Sequence, residues 1–320
     1  MPDIRKTLED CVRSATTAPS LHNSQPWRFR IHGDRVDVFA DPARRLAVLD
    51  PDGREMLISV GAAVFTLRLS LMRAGFVPVP EIFPDAGWTA PVATVRAGRA
   101  GTPTPAVEAL AAAIPHRHTN RQPFARAAVP ATVLDDLIAA AHREGALLLV
   151  PPPVARNAVL GLSRAAEQRL RARGGYRAEL ARWTTHRRVR RDGVPPSAYG
   201  PGDTLETMPM RDFGLLQPQL ARSSGRFEPD PTLLILATRG DLRADWVRAG
   251  QALQRVLLAA TWHNLASTPI SQPVEIPAVR EYLTDVRRGI WAQMVLRVGY
   301  GIPAAATPRR PLVEVLTESE

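Results

Sequence analysis

Two apolar stretches with helical periodicity, residues 56–74 and 245–264, carry the same punctuation 189 residues apart. Asp52-x-Arg54-x6-Gly61-x-Ala63 at the first matches Asp241-x-Arg243-x6-Gly250-x-Ala252 at the second. A further pair, Val95-Arg96-Ala97-Gly98 and Leu296-Arg297-Val298-Gly299, recurs in the same order at an offset of 201. Recurrence on this scale points to one structural unit used twice. In the first copy a helix pattern over 4–15, with Asp3 as its N-cap, precedes strands at 27–31 and 36–40. His32-Gly33-Asp34 makes the turn of that hairpin, Gly75 stops the long helix, and 92–95 is a short strand. In the second copy Pro130 opens a helix stopped at Gly145, with strands at 146–150, 232–238 and 292–298. The expected fold class is therefore α+β, divided into units 1–105 and 106–320. The Gly/Thr/Pro run 98–105 serves as linker. An extra segment, about 151–230, interrupts the second unit. Its Leu162, Leu170, Tyr176, Leu180 and Trp183 predict a packed helical lid rather than a disordered excursion.

Bulk properties narrow the function classes. The chain of 320 residues is 45% apolar, with a net charge of +10 and one cysteine. Cys11 falls on the apolar side of the first helix and reads as a core filler. Arg68 interrupts the longest apolar run, so no membrane span is expected. With no signal-peptide pattern ahead of the first helix, a cytoplasmic location is expected. Ten arginines between 163 and 191, against Glu167 and Glu179, account for most of the net charge. That segment reads either as a solvated helix face or as a cover over an anionic ligand. It lacks the interleaved aromatics of a nucleic-acid binder, and no nucleic-acid partner is expected. The seven histidines show no metal-ligand spacing, so no metal is expected. There is neither a P-loop nor a strand-linked G-x-G-x-x-G.

Two segments concentrate binding chemistry. Residues 15–27, Ala-Thr-Thr-Ala-Pro-Ser-Leu-His-Asn-Ser-Gln-Pro-Trp, follow the first helix. A polar, proline-stiffened turn ending on an aromatic fits a grip on a flat heteroaromatic ligand, and it also fits a packed interdomain turn. Residues 116–124 read His-Arg-His-Thr-Asn-Arg-Gln-Pro-Phe. Two arginines four apart with a threonine between them suit a phosphate, although a solvated basic turn has the same composition.

Ala15, Ala18, Pro19, Ser20, Asn23, Gln25, Pro26 and Trp27 fall at the spacing of A-x-x-A-P-S-x-x-N-x-Q-P-W, which resembles the flavin-binding loop of the nitroreductase superfamily. With His22 the pattern resembles the Acg family of actinobacterial FMN-binding proteins, which have two nitroreductase-like halves in one chain. The resemblance implies a nitroreductase-type fold duplicated as an intramolecular pseudo-dimer, monomeric in solution. It implies FMN bound by Pro19, Ser20, His22, Asn23 and Gln25 of the loop. Arg117, His118, Thr119 and Arg121 match the superfamily's phosphate motif, with His118 replacing its second basic residue. Pro269, Ile270 and Ser271 stand where backbone groups flank the reactive edge of the flavin. Arg309 and Arg310 stand where basic residues of the tail reach its phosphate. The loop occurs only in the first unit and the arginine motif only in the second, so one complete site is expected between them. The activity implied is NAD(P)H-dependent reduction, through FMN, of nitro- or quinone-type aromatic acceptors, with no catalytic side chain. The alternative is a protein that holds FMN with little turnover.

Overall fold

The structure is a computed structural model that describes residues 4–85, 87, 89–184, 190–205, 207–215 and 223–317. The proposed N-cap, Asp3, lies outside them. The amphipathic pattern of the N-terminal segment produces α1 (Ile4–Ala15), which buries Leu8, Cys11, Val12 and Ala15. Burial, with Asp10 nearby, pushes the Cys11 thiol up to about 12, in keeping with its reading as a core filler. Strands β1 (Trp27–His32) and β2 (Arg35–Ala40) pair antiparallel from Trp27↔Ala40 to His32↔Arg35. Gly33 turns that hairpin with a φ of +54°. Helix α2 (Arg54–Arg73) follows, then β3 (Val79–Ile82) and β4 (Ala93–Arg96). The segment read as a linker, 98–105, ends where α3 (Pro105–Ala113) begins, N-capped by Thr104 through a 3.3 Å hydrogen bond from Val107 N.

Helix α4 (Ala131–His142) and β5 (Leu147–Leu149) lead into the insertion. Its elements are α5 (Pro153–Ala172), α6 (Tyr176–Trp183), β6 (Gly202–Asp203) and β7 (Ser224–Gly225). Then come β8 (Thr232–Thr238), α7 (Arg243–Trp262), β9 (Ala266–Ile270) and the short helices α8 (Gln272–Glu275) and α9 (Pro277–Arg280). Strand β10 (Trp291–Gly299), α10 (Leu312–Val315) and β11 (Leu316–Thr317) complete the order. One sheet runs β11-β1-β2-β4-β3 and another β5-β8-β10-β9. Residues 266–270, for which the sequence predicts no strand, form an edge strand. Pro269 is tolerated because β9 has a neighbouring strand on one side only. The last described strand, β11, returns to the first sheet and pairs parallel with β1 at Phe29↔Leu316.

Helices α2 and α7 cross between the two sheets, and the repeated glycines mark the crossing. A Cβ at Gly61 would lie 3.1 Å from the Gly250 Cα, and one at Gly250 would lie 2.9 Å from the Ala62 N. Only glycine permits that approach. Helix α2 is long and apolar enough to cross a membrane by length and composition, but its apolar surface is buried here. Arg68, the charge that interrupts its apolar run, donates to Glu144 at 2.7 Å, and Arg255 holds the other oxygen of that carboxylate at 2.8 Å.

The insertion packs against the first unit through four of the five residues named for it, Leu162 lying outside the apolar clusters. Leu170, Tyr176, Leu180, Trp183, Tyr199 and Phe213 form one apolar cluster with Leu46 and Leu49 of the first unit. Glu179 accepts from Val48 N and Leu49 N, both at 2.9 Å. Part of the basic run is structural: Arg182 and Arg190 lie 5.3 and 5.7 Å from the Trp183 ring, joined by Arg44 of the first unit at 5.5 Å. Arg187 and Arg188 lie outside the described residues.

Candidate functional site

After α1 the chain enters a turn in which three non-glycine residues take left-handed conformations: His22 (φ +49°), Asn23 (φ +54°) and Gln25 (φ +50°). Such conformations cost on the order of 1 kcal/mol each and persist only where surrounding bonds over-determine them. Here those bonds come from distant segments. Asn23 Nδ2 donates to Gly193 O at 2.9 Å and to Pro308 O at 3.0 Å, and its Oδ1 accepts from Arg309 at 2.9 Å. Ser20 Oγ accepts from Gln25 N, and Ser59 Oγ of α2 accepts from Leu21 N. Insertion, tail and α2 thus converge on one loop.

That loop forms one wall of a cavity with about 990 Å³ of space between its atoms, part of it open to solvent. Of the residues expected at a ligand site, eleven line it: Pro19, Ser20, His22, Asn23, Arg117, Thr119, Arg121, Pro269, Ile270, Ser271 and Arg309. Three do not. Gln25 is buried behind the loop, where its Nε2 donates to Arg191 O and its Oε1 accepts from Arg310 N, so its amide is used as a clasp. Arg310 turns to the Glu314 carbonyl at 2.6 Å. His118 is half-buried beside the cavity. Burial, Arg117 and Arg309 lower its pKa, in that order. Trp27 is fully buried as the first residue of β1 and fills the core instead of facing a ligand.

The cations divide into two groups. Arg117 is only 4% exposed, and its Nη2 donates to Thr17 O at 3.2 Å. Arg309 donates to Thr17 O, Thr307 and Asn23. Neither has a carboxylate within 4 Å among the described residues. Burial, then Arg309, lowers the Arg117 pKa to about 9, and burial lowers that of Arg309 to about 10. Arg121, expected to share the phosphate with Arg117, lies instead 4.7 Å over the Phe213 ring and donates to Ala198 O at 2.8 Å. Its stem packs the insertion. The Arg117 loop is fixed on β9, where Asn120 N donates to Ser267 O and Thr268 Oγ1 donates to Asn120 O.

The same cavity is lined by His22, whose Nδ1 and Nε2 are both buried without a hydrogen-bond partner among the described residues. Its ring meets Phe213 edge-on at 5.1 Å. Burial, then Arg211, then Arg121, holds it well below the usual histidine range, so it is neutral at physiological pH. A neutral imidazole offers one donor and one acceptor to a ligand.

No protein-family model matches the chain. At 33% identity, 97% of it aligns with 91% of the Mycobacterium tuberculosis protein named "Putative NAD(P)H nitroreductase Rv3131". At 31% identity, 98% of it aligns with 97% of "Putative NAD(P)H nitroreductase acg" from the same organism. The chain belongs to the Acg-type nitroreductase family. Among solved structures it is similar to the FMN-dependent nitroreductase NfnB of Mycobacterium smegmatis, solved with NADPH. That match has 16% identity over 67% of this chain and 99% of that one, with a TM-score of 0.39.

Several cavity residues of this Acg-type nitroreductase have no counterpart in the sequence expectations. Glu55, Ile58 and Ser59 come from the first turns of α2, and Leu253 and Met294 from α7 and β10. Val194, Pro209, Met210, Arg211 and Phe213 come from the insertion. Glu55 carried a usable signal, being a carboxylate at the head of an otherwise apolar helix. The insertion residues carried none, because that segment has no period that would aim its side chains.

Proposed function

We propose that this chain binds FMN in the cavity and is an NAD(P)H-dependent oxidoreductase acting on nitro- or quinone-type aromatic acceptors. The observation that carries the reading is the pair Arg117 and Arg309. Two buried guanidiniums without a carboxylate leave positive charge that an anionic ligand would neutralise. A phosphate monoester fits that need, with the Thr119 hydroxyl beside it as a further donor. The rest of the wall suits a flat, amphipathic ring. Pro19 and Ile270 offer apolar surface, while Ser20, His22 and Ser271 offer hydrogen bonds. Bound FMN supplies a ring that accepts and releases hydride, and the surrounding side chains supply binding and orientation.

The two units are read as copies of one α+β unit, 1–105 and 106–320, joined as a monomeric pseudo-dimer in the cytoplasm. The glycines at the α2–α7 crossing support that reading, since they stand at matched positions of the repeat. One copy supplies the strained loop and the other the Arg117 segment, so a single site results.

A second reading, an FMN-holding protein with little turnover, is favoured by the insertion residues Arg211 and Phe213 in the cavity wall. Titration of purified protein with FMN tests the common part: Arg117→Ala and Arg309→Ala should each weaken binding about 30- to 1,000-fold, the loss of a buried charged contact. Unchanged affinity in both variants rejects the phosphate assignment. Anaerobic mixing with NADPH or NADH then separates the readings. Rapid bleaching of the flavin supports the oxidoreductase, and persistent colour supports the holding protein.

A further inference from the structure

Helix α2 begins with two charged side chains inside the protein, Arg54 and Glu55, the latter 2% exposed. Among the described residues, Glu55 alone lines both the ligand cavity and a second cavity behind it. The second cavity reaches from Glu55 and Glu275 out to the exposed Asp52, Arg173 and Pro277. One Glu55 oxygen, Oε1, accepts from Arg54 Nη2 at 2.8 Å, while Oε2 is buried with no hydrogen-bond partner among the described residues.

The groups facing Glu55 come from three directions. Asp50, ahead of α2, accepts from Glu55 N and Met56 N at 3.1 and 2.8 Å. Glu275 of α8 accepts from Arg211 of the insertion. Arg54 divides its donors between Glu55, Gln293 and Val274 O. Further out, Arg280 and Asp241 satisfy each other at 2.6 Å. Three buried carboxyls, Asp50, Glu55 and Glu275, therefore share two buried guanidiniums, Arg54 and Arg211. One proton on a carboxyl balances the cluster. Both Asp50 oxygens already accept backbone bonds, whereas Glu55 Oε2 and Glu275 Oε1 are buried without a partner among the described residues. Of these two carboxyls only Glu55 also lines the ligand cavity, which makes it the place for an O–H that serves that cavity.

We propose that Glu55 donates the proton for reduction in the ligand cavity and regains it from solvent through the second cavity. The inference rests on the oxidoreductase reading above. Reduction of a quinone by NAD(P)H consumes one hydride and one proton. NAD(P)H loses the hydride and becomes NAD(P)⁺. The quinone gains the hydride equivalent and the proton and becomes a hydroquinone. The proton leaves the Glu55 O–H, and the carboxylate left behind takes another from water in the second cavity. Burial, then Glu275, raises the Glu55 carboxyl well above the ordinary range, which favours its protonated form.

The test joins a spectroscopic and a kinetic measurement. Infrared spectroscopy of the ligand-free chain at neutral pH should show a protonated-carboxyl band that Glu55→Gln abolishes. With FMN bound and the protein pre-reduced by NADPH, Glu55→Gln should slow reduction of an added benzoquinone by about 100-fold or more. The rate of bleaching by NADPH should fall far less than the rate of quinone reduction, and Glu55→Asp should recover part of the loss. A band that survives in Glu55→Gln, or quinone reduction within about twofold of wild type, overturns the inference alone. Wild-type protein that binds no FMN, or is not bleached by NADPH, overturns the oxidoreductase reading and this inference with it.

Discussion

Arg117 sits in the protein as a cation with no counter-charge among the described residues, and two opposite consequences follow. Without a ligand, its burial costs stability, so Arg117→Met should stabilise the ligand-free chain by about 1–4 kcal/mol in urea denaturation. With FMN present, the order should reverse, because only wild type gains binding energy. The pH dependence has a definite sign. Burial lowers the folded-state pKa of Arg117 to about 9, below that of an ordinary guanidinium. The unfolded chain therefore binds more protons above pH 9, and stability rises with pH from there. Melting temperatures of the ligand-free protein between pH 8 and 10.5 should show that rise, smaller in Arg117→Met. Glu55 behaves in the opposite sense. Its folded pKa is raised, so wild type loses stability as pH climbs above the unfolded value near 4.5. The melting temperature of Glu55→Gln minus that of wild type should grow between pH 5 and 7. At this scale the sequence was informative where a motif lies on one loop, as at Pro19, Ser20, His22 and Asn23. It misled at Gln25 and Trp27, whose polarity and aromaticity serve the loop's own packing. It was silent at Arg211 and Phe213, because their neighbours lie far away along the chain.

Elements were legible in proportion to their period. Both long helices, the β1–β2 hairpin and the strands of the central pairings follow from apolar spacing alone. Strand β3 did not, being four residues long, largely exposed and interrupted by Pro80. Strand β9 did not, because Pro269 reads as loop unless the open edge beside it is known. The glycines of α2 and α7 look like helix-weakening residues in isolation, yet they set the distance between the two helices. Gly61→Ala and Gly250→Ala should each destabilise by about 1–3 kcal/mol, overpacking outweighing the better helix propensity. Gly161 in α5 provides the contrast, since a Cβ there meets nothing within 4 Å. Gly161→Ala should stabilise by about 0.5–1 kcal/mol, and chemical denaturation midpoints of the three variants will show whether the signs differ.

The whole molecule is tied together by segments that leave their own unit. The insertion docks on Leu46 and Leu49 and is fastened by Glu179, while the tail places Arg309 against Asn23. Neither connection could be read from a repeat, because each depends on a feature that only one copy carries. A single cooperative unfolding transition is expected by calorimetry, and residues 1–105 expressed alone should be insoluble, since α2 would lose the helix it packs against. Two separate transitions, or a soluble folded fragment, would contradict this.

Strand β11 adds a question of timing. Its partner β1 is synthesised roughly 285 residues earlier. At typical rates of about 5–20 residues per second, the β1 edge waits roughly 15–60 s on the ribosome for the strand that covers it. Arg309 is delayed by nearly as long, so the anion site is completed only after almost all the described chain has been translated. During that interval the nascent protein presents an open sheet edge to its neighbours. Its yield in cells should therefore respond to translation speed and chaperone supply even where the finished protein is stable.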